Sequence, residues 1–521
     1  MRIDFLNFNL GSTVGINNGL AILSAVLKQA GHQVGLIHLS EDLGYGFDLE
    51  RLRQDILHRQ PDIIGISLME PQFKYVKVLC EKLRSYYRGV VVCGGPFPSM
   101  DPESVLAIDA VDAVCLGEGE GALVELATHL EQGRDWTAIA NLWVKRPDGS
   151  IVQNALRPFC DLSALPPEDK DLFDMASILP LKNFQLEATL GRGCIYKCTY
   201  CINDSYVKRY QKLCRQKIKR SDYTRTKPID TVIHEIKTAI DLHPSIRKIA
   251  FIDDNFLMYP DFAIEFYQRY RQAIGLPFMC NINPMSFSLA KGRMLKQAGC
   301  DDIRFGIESG SERIKKQIMQ RPISNESVKK AFGITRQLNM MASSFNMIGL
   351  PTETRDDVMA TMMLNAAIMP ETIKVMTFYP FKNTPLYELC EKMDLIDEDK
   401  KRLLDDYDTF TCLKFAPEHQ LFLKKVQTAF NWHINVYLNN ACSPHYATRL
   451  REIAAMDSDQ WDAYDFDSAD RELSLSMRKK GISHYAKFVN RSLAAKYPSS
   501  HYNKDPSINK LYISRNVVYV S

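Results

Sequence analysis

The sequence predicts an α/β protein with two strand-helix regions followed by a helical region. Short apolar strands alternate with amphipathic helices over the first 130 residues, the alternation resumes from 186 to about 390, and helices dominate after that. Such alternation is typical of parallel sheets. We therefore expect a doubly wound, Rossmann-like domain over 1–135, a connector over 136–183, a partial (βα)6 barrel of the TIM type over 184–390, and a mainly helical domain over 391–521.

The first region contains five apolar strands, separated by predicted helices over 18–30, 48–59 and 71–87. In a doubly wound sheet, ligands bind at the carboxyl ends of the strands. Small residues follow these strands at Gly11, Ser12, Ser67, Gly94, Gly95, Gly117 and Gly119. We expect a cofactor along this edge.

The connector has two parts. Residues 136–154 predict a small hairpin with a Pro-Asp-Gly turn, and residues 161–174 are acidic and contain two adjacent prolines. We expect this connector to wrap around the domains without taking part in catalysis.

The second region repeats strand and helix in the manner of a βα barrel. Its strands are predicted at 186–190, 249–252, 278–283, 302–308, 343–350 and 373–381, and its helices near 229–241, 261–273, 287–298, 324–338 and 355–368. Catalytic groups of βα barrels lie at the carboxyl ends of the strands.

The last region includes an amphipathic helix over 418–439 and a strand-like segment over 510–521. We expect it to close the barrel and shape substrate entry. Trp432 and His433 lie on that helix, where a packing role is favoured over a catalytic one.

Composition indicates a cytoplasmic multidomain enzyme. The chain has 521 residues, of which 45% are hydrophobic and 24% charged, and no apolar run approaches the roughly 18 residues of a membrane span. The formal charge of +3 gives no reason to expect a nucleic-acid partner. The 13 scattered cysteines are typical of reduced thiols.

Three of these cysteines form a motif. Cys194, Cys198 and Cys201 have the spacing C-x3-C-x2-C directly after a predicted strand. A cubane 4Fe–4S cluster held by three thiolates keeps one iron open for a small molecule, whereas electron-transfer clusters normally have four protein ligands. A zinc site would need a fourth ligand, and the nearest candidate, Cys214, has no paired ligand. The loop therefore favours a catalytic cluster.

This loop resembles that of the radical S-adenosylmethionine (SAM) superfamily, CxxxCx(aromatic)C, with Tyr200 as the aromatic residue. Four further segments match the family in order and approximate spacing: FIDDNF (251–256), RFGIESGSERI (304–314), FNMIGLPTET (345–354) and TFYPFKNTPLYE (377–388). The resemblance implies that the cysteines bind a 4Fe–4S cluster whose open iron chelates SAM.

The resemblance also implies SAM contacts at the ends of the barrel strands. Asp253 and Asp254 stand where relatives carry a Gly-Gly-Glu motif for the amino group of SAM, although either could instead cap a helix. Glu308 resembles the polar residue that contacts SAM after the fourth strand, and Ser309 follows it. The segment from Gly349 to Pro351 resembles the backbone near adenine, which Tyr200 should also approach.

Residues 93–106 and 111–126 resemble the cobalamin-binding domain that precedes the barrel in one branch of this superfamily. Glycines would let the backbone lie against the corrin, so the resemblance implies cobalamin contacts along the strand edge and at Glu118 between Gly117 and Gly119. The alternative is that those two glycines only turn a strand into a helix. The DxHxxG motif that supplies a lower axial histidine is absent after the first strand, and the D-x-H at 241–243 lies in the wrong domain. Cobalamin is therefore expected to lack that ligand.

The leading hypothesis is C-methylation of an unactivated carbon in a small-molecule, lipid or peptide substrate, with a flavodoxin- or ferredoxin-type reductant. The alternative that the resemblance allows is a cyclase or rearrangement enzyme without methyl transfer. A methylthiotransferase would need three more cluster cysteines, and Cys80, Cys93 and Cys115 look like core residues. A non-catalytic binding protein would not need the cysteine loop. The basic segment 208–227 is either a lid for an anionic substrate or a solvated face.

Overall fold

The computed structural model describes residues 1–405, 410–487 and 517–518, with backbone only at 260–262 and 517–518. The chain forms two compact units. The first comprises Met1–Lys182, Thr189–Ser245 and Phe381–Glu388, and the second comprises Asn183–Ala188, Ile246–Pro380 and the described residues from Leu389 onward. The predicted domain boundaries at 135, 183 and 390 stay predictions.

A seven-stranded sheet forms the centre of the first unit. Its strands are β1 (Arg2–Phe8), β2 (Gln33–Leu39), β3 (Ile63–Ser67), β4 (Val90–Gly94), β5 (Ala113–Cys115), β6 (Leu142–Lys145) and β7 (Ile151–Gln153), in the order β2-β1-β3-β4-β5-β6-β7. The helices are α1 (Asn18–Gln29), α2 (Leu49–Arg59), α3 (Phe73–Leu83), α4 (Pro96–Met100), α5 (Pro102–Leu106) and α6 (Glu120–Glu131). Strands β1 to β5 are parallel, which confirms the predicted doubly wound fold.

The predicted hairpin of the connector is present, but it belongs to this sheet. Strand β6 pairs antiparallel with β5, and β7 pairs antiparallel with β6. Leu142, Trp143 and Val144 are buried by this pairing. The hairpin thus covers the edge of β5, which would otherwise expose unpaired backbone groups.

Six elements follow: α7 (Met175–Leu181), β8 (Gln185–Ala188), β9 (Gly191–Arg192), α8 (Ile202–Leu213), β10 (Arg225–Thr226) and α9 (Ile229–Leu242). Strands β9 and β10 form a short antiparallel pair in the first unit. Strand β8 instead belongs to the second unit.

The second unit is built on six parallel strands in the order β15-β14-β13-β12-β11-β8, which confirms the predicted partial barrel. The remaining strands are β11 (Lys248–Phe251), β12 (Phe278–Ile282), β13 (Cys300–Glu308), β14 (Met341–Ile348) and β15 (Thr372–Thr377). The intervening helices are α10 (Pro260–Ala273), α11 (Leu289–Ala298), α12 (Asn325–Gln337) and α13 (Arg355–Ile368). An aromatic cluster packs β11 and β12 against α10, with Phe251, Phe266, Tyr270 and Phe278 in edge or tilted contact.

The C-terminal region is helical as predicted. It contains α14 (Pro385–Lys392), α15 (Glu398–Leu403), α16 (Pro417–Tyr437), α17 (Ser443–Ala455), α18 (Ser458–Asp462) and α19 (Phe466–Lys479), then β16 (His484–Tyr485) and β17 (Val517–Val518). Apart from β17, which pairs with β16, the strand-like segment predicted at 510–521 lies outside the described residues. Within the described chain, no helix is both long and apolar enough for a membrane span.

Of the two residues singled out on α16, Trp432 is buried and His433 is partly buried. The indole nitrogen of the buried Trp432 donates a 2.7 Å hydrogen bond to Asp470. Burial lowers the pKa of His433 to about 4, so its imidazole is neutral near pH 7. The predicted packing role of the two side chains agrees with these environments.

Candidate active site

Cys194, Cys198 and Cys201 lie on one loop between β9 and α8. Cys198 is buried and the other two are partly exposed, and none of the 13 cysteines forms a disulfide. In the described part of the chain, no three His, Cys, Asp or Glu side chains are grouped so that they could hold a metal ion. The structure therefore places the three cysteines on one loop without arranging their sulfurs around a shared metal position.

The approach to this loop depends on two glycines. A Cβ at Gly191 would overlap the carbonyl oxygen of Arg225, and a Cβ at Gly193 would overlap the carbonyl oxygen of Tyr223. Gly193 also has a φ of +99°, a conformation that side chains other than glycine rarely adopt. The two glycines of the GRG sequence before Cys194 are thus required, because the backbone at and just before β10 leaves no room for a Cβ.

The loop backbone is held from two further directions. The Arg220 guanidinium donates to the carbonyl oxygen of Tyr196 at 3.3 Å and forms an ion pair with Asp204 of α8. The backbone N–H of Leu386 donates to the carbonyl oxygen of Thr199 at 3.0 Å. These bonds fix the path of the loop before any ligand is added.

Two carboxylates and two guanidinium groups, from Glu118, Glu120, Arg192 and Arg225, form a cluster beside the loop that we call the charge cluster. Arg192 bridges Glu118 at 2.9 Å and Glu120 at 2.6 Å, and Arg225 pairs with Glu118 at 2.7 Å. The Glu118 and Glu120 side chains are only 12% and 7% exposed. Burial alone would raise the pKa of Glu118, but Arg225 and Arg192 outweigh it and lower that pKa to about 2.

The glycine turn that contains Glu118 is packed against α8. The backbone N–H of Glu118 donates to the hydroxyl of Tyr210 at 2.9 Å. A Cβ at Gly117 would overlap that hydroxyl, and Gly117 has a φ of +76°. Position 117 therefore requires glycine, because the Tyr210 hydroxyl occupies the space that a side chain would need.

Several cations of the basic segment 208–227 are paired inside the first unit, whereas others, such as Lys208 and Lys217, are exposed. Arg209 donates to the carbonyl oxygen of Ser99, and Arg220 and Arg225 pair with Asp204 and Glu118. Lys227 pairs with Glu168 of the connector and Glu235 of α9 at 2.5 and 2.8 Å. Several of its cations therefore stabilise the interior of the first unit.

The remaining residues predicted to contact cobalamin lie along the carboxyl edge of the first sheet. Ser12 is exposed and its hydroxyl accepts a 2.8 Å hydrogen bond from Asn9. The hydroxyl of Ser67 accepts a 3.0 Å hydrogen bond from Asn17. Gly94, Gly95 and Gly119 are partly exposed on the same edge. The structure therefore brings this predicted set to one edge of the sheet.

Asp253 and Asp254 follow β11, with Asp253 buried and Asp254 exposed. The Asn281 side chain donates to the carbonyl oxygen of Asp253 at 3.1 Å and so ties the ends of β11 and β12 together. Neither aspartate is the cap of a helix, because the next helical turn is capped at Asn255 and α10 at Tyr259.

Glu308 ends β13 with a φ of +65°, an uncommon backbone conformation for a glutamate. Its carboxylate lies 3.7 Å from the Arg321 guanidinium. The Ser309 hydroxyl is fully buried and accepts a 3.1 Å hydrogen bond from the N–H of Ser311. The structure thus leaves Glu308 at the strand end and turns the Ser309 side chain inward.

Gly349 follows β14 and is held by a glutamate that the sequence analysis did not select. One carboxylate oxygen of Glu353 accepts hydrogen bonds from the N–H groups of Gly349 and Leu350 at 2.6 and 3.2 Å. The other oxygen, Oε1, is buried without a hydrogen-bond partner among the described residues. Burial raises the pKa of Glu353 to about 8, so this carboxyl is largely protonated at neutral pH.

We expect Glu353 to make the stability of the protein fall as the pH rises. Since its pKa is about 8 in the folded state and near 4.5 in the unfolded state, the stability that this carboxyl contributes is fully present below pH 4.5 and is lost as the pH rises to 8. The full loss is about 5 kcal/mol, because the two pKa values differ by about 3.5 units at about 1.4 kcal/mol per unit. Chemical denaturation of the wild type and Glu353→Gln, which cannot ionise, at about pH 5 and about pH 9 measures the difference. Equal pH dependence of the two proteins would contradict this assignment.

Four residues were missed from the sequence: Arg192, Arg225, Tyr210 and Glu353. Arg192 and Glu353 stand inside motifs that were recognised, two residues before Cys194 and two after Pro351. Their proximity to the motifs was the available signal. Arg225 and Tyr210 lie in the basic segment 208–227, but nothing in the sequence indicated their contacts with Glu118, which span 107 and 92 positions.

The cysteines that a second N-terminal cluster would need are core residues. Cys80, Cys93 and Cys115 are buried, and burial raises the pKa of each thiol, to about 12 for Cys80 and Cys115. They lie on α3, β4 and β5. Protonated, buried thiols are poor ligands for iron.

Two family models match the chain. The model of the radical SAM superfamily matches residues 189–364, and the model of the B12 binding domain matches residues 12–127. The first match begins before the cysteine loop and extends into α13. The second covers the glycine turn of the charge cluster.

Curated relatives include enzymes with different names. The chain is 25% identical over 447 residues to an uncharacterized methyltransferase, PH0819, of Pyrococcus horikoshii, covering 83% of this chain and 91% of the relative. It is 22% identical to cytidylyl-2-hydroxyethylphosphonate methyltransferase of Streptomyces wedmorensis (64% and 68% covered). It is 21% identical to anaerobic magnesium-protoporphyrin IX monomethyl ester cyclase of Rubrivivax gelatinosus (77% and 72% covered).

Solved structures share the fold. The cobalamin-dependent SAM radical enzyme OxsB, with aqua-cobalamin and SAM bound, aligns with a TM-score of 0.64 at 16% identity, covering 92% of this chain and 75% of that chain. The radical SAM methyltransferase TsrM from Kitasatospora setae, with cobalamin and a [4Fe-4S] cluster bound, aligns with a TM-score of 0.60 at 16% identity, covering 75% and 78%.

Proposed function

Because the chain is a radical SAM enzyme with a B12-binding domain ahead of its radical SAM domain, we propose that it C-methylates an unactivated carbon of a small-molecule substrate. The observation that carries this proposal is the loop of Cys194, Cys198 and Cys201, whose backbone is fixed in the same compact unit as the B12-binding domain. Two of the named relatives are methyltransferases.

The residues present fit the three cofactors that this function requires. Three thiols on one loop are a donor set suited to a 4Fe–4S cluster with one open iron. Asp253, Asp254, Glu308 and the backbone at Gly349 offer polar groups at strand ends for SAM. The edge with Ser12, Ser67, Gly94, Gly95 and Gly119 is suited to cobalamin, without a histidine after β1 as lower axial ligand.

When bound, these cofactors supply an electron for homolytic cleavage of SAM to a 5'-deoxyadenosyl radical, and a transferable methyl group. The chain itself orients the groups. Arg220 and Leu386 hold the backbone of the cysteine loop, and Glu353 holds the turn at Gly349 and Leu350. The neutral Glu353 avoids a buried negative charge at this turn.

The second candidate is a cyclase or rearrangement enzyme, which the cyclase relative favours. The protein should be purified without oxygen, reconstituted with iron and sulfide, and incubated with SAM, a reductant and added cobalamin. Methyl transfer predicts that S-adenosylhomocysteine and 5'-deoxyadenosine both form, whereas a cyclase predicts 5'-deoxyadenosine alone. A protein that binds no cobalamin would rule out the methyltransferase and leave the barrel assignment intact. We further propose a cytoplasmic enzyme served by a flavodoxin- or ferredoxin-type reductant.

We further infer that the substrate is anionic, because Arg304 is a cation without a paired acid within the part of the chain that the structure describes. It lies on the face of the second sheet opposite the helices, because its neighbour Phe305 packs with its ring 5.1 Å from that of Phe332 on α12. Its guanidinium lies 6.0 Å from the ring of Phe345, and no hydrogen bond or ion pair joins it to the described residues. Burial lowers its pKa, although the nearby charges of Asp302 and Glu187 oppose that shift.

We therefore expect Arg304→Gln to weaken binding of a small oxyanion. Loss of a charge-assisted hydrogen bond of about 1.5 to 3 kcal/mol corresponds to roughly a 10- to 100-fold change in the dissociation constant. Calorimetric titration with inorganic phosphate should compare the wild type, Arg304→Gln, and Arg293→Gln, which alters an exposed arginine on α11. Equal phosphate affinity of all three proteins would refute the anion site.

A further inference from the structure

We propose that Glu118 is a positioning residue of the cysteine loop and not a contact of cobalamin; the inference rests on the function proposed above. The sequence alone pointed to cobalamin, because Glu118 stands between two glycines at the carboxyl edge of the first sheet. In the structure its carboxylate is occupied on both oxygens. Oε1 accepts from Arg192 and Arg225 at 2.9 and 2.7 Å, and Oε2 accepts from the N–H of Cys160 and from Arg225 at 2.7 and 3.1 Å.

The two arginines stand on paired strands, β9, which leads into the loop, and β10, which follows α8. Arg192 belongs to β9, two residues before Cys194, and Arg225 belongs to β10, opposite Arg192 in the antiparallel register. A single carboxylate therefore joins side chains from both strands at the base of the loop. Glu120 binds the other guanidinium nitrogen of Arg192, so this arginine is fixed in a fork between two acids.

The glycine that precedes Glu118 gives the same indication. The space where a Cβ of Gly117 would stand is filled by the hydroxyl of Tyr210 on α8, the helix that follows Cys201. The turn thus meets the elements on both sides of the cysteine loop, β9 before it and α8 after it. Its packing is explained by the protein without a corrin.

Removing the charge of Glu118 should weaken the cluster and spare cobalamin. Loss of a group that orients metal ligands typically lowers metal affinity about 10- to 100-fold. Glu118→Gln keeps the shape but leaves the charges of Arg192 and Arg225 to be balanced by Glu120 alone. We expect a loss of this size in cluster retention against a chelator, and a changed electron paramagnetic spectrum of the reduced cluster that remains.

The test compares the wild type, Glu118→Gln, and Glu125→Gln as a matched control. Glu125 lies on α6, the helix of Glu120, and forms an ion pair with Arg157 outside the charge cluster. Iron and sulfide per chain, the paramagnetic spectrum and cobalamin absorbance are measured on each reconstituted protein. Reduced cluster retention with unchanged cobalamin in Glu118→Gln alone supports the proposal. A lower amount of bound cobalamin with an intact cluster, or no change in either, overturns it.

A second variant covers the case in which Glu118→Gln does not fold. Arg192→Lys keeps the charge but cannot span Glu118 and Glu120 as a fork. The same selective loss of cluster retention is expected, and wild-type retention in Arg192→Lys overturns the proposal. A wild-type protein that takes up no iron would instead refute the proposed function, so the two failures are distinguishable.

Discussion

Replacing Cys198 by serine is expected to abolish the cluster and, with it, all cleavage of SAM. Cys198 is the central member of the three-cysteine loop and is buried, so no solvent ligand can easily replace its sulfur. A serine hydroxyl is a poor substitute for the soft thiolate that iron-sulfur clusters require. We expect bound iron and acid-labile sulfide to fall more than about tenfold, since ligand loss costs at least as much as the 10- to 100-fold effect of an orienting group.

Cys214→Ser is the matched control for this experiment. Cys214 is partly exposed at the end of α8, outside the three-cysteine motif. The Cys214→Ser variant should retain the iron content, sulfide content and 5'-deoxyadenosine formation of the wild type. If Cys198→Ser kept its full sulfide content and its turnover, the assignment of the loop to a cluster would be wrong.

Replacing Gly310 by alanine is expected to cause a loss of stability of about 3 kcal/mol or more, in the range of severe overpacking. Its Cβ would overlap the backbone carbonyl of Ala360 in α13, and no side-chain rotation relieves an overlap with backbone. The Gly310 N–H also donates to the hydroxyl of Thr361 at 2.8 Å, which holds the turn close to that helix. Because Glu308 precedes this turn, the strand end should shift as well.

Gly333→Ala provides the opposite expectation in the same unit. Gly333 lies inside α12 with open space at its Cβ position, so alanine should stabilise the helix by about 0.5 to 1 kcal/mol. Urea denaturation of both variants and the wild type measures the two changes. A Gly310→Ala protein as stable as the wild type would show that α13 can move away from this turn.

The strands and helices could be predicted because their signal is local. The predicted strand at 249–252 and the observed Lys248–Phe251 differ by one residue, and the predicted helix at 355–368 matches Arg355–Ile368. The hairpin at 142–153 was also predicted from its turn. Its pairing with β5 was not, since register between distant strands has no signature within either one.

The site was predictable only as far as its motifs reach. The cysteine spacing and the strand-end residues could be named from the sequence, and their roles remain predictions. The partners of Glu118 could not be named from the sequence, because Arg192 and Arg225 lie 74 and 107 positions away. The raised pKa of Glu353 likewise depends on burial, which emerges only when β14 and its turn are packed.

The grouping of Thr189–Ser245 with Met1–Lys182 limits how such an enzyme can be recombined. A chimera cut near residue 183 would give Arg192 a foreign partner in place of Glu118 and Glu120. Exchange of the N-terminal half between homologues should therefore succeed only when Glu118, Glu120, Arg192 and Arg225 come from the same parent.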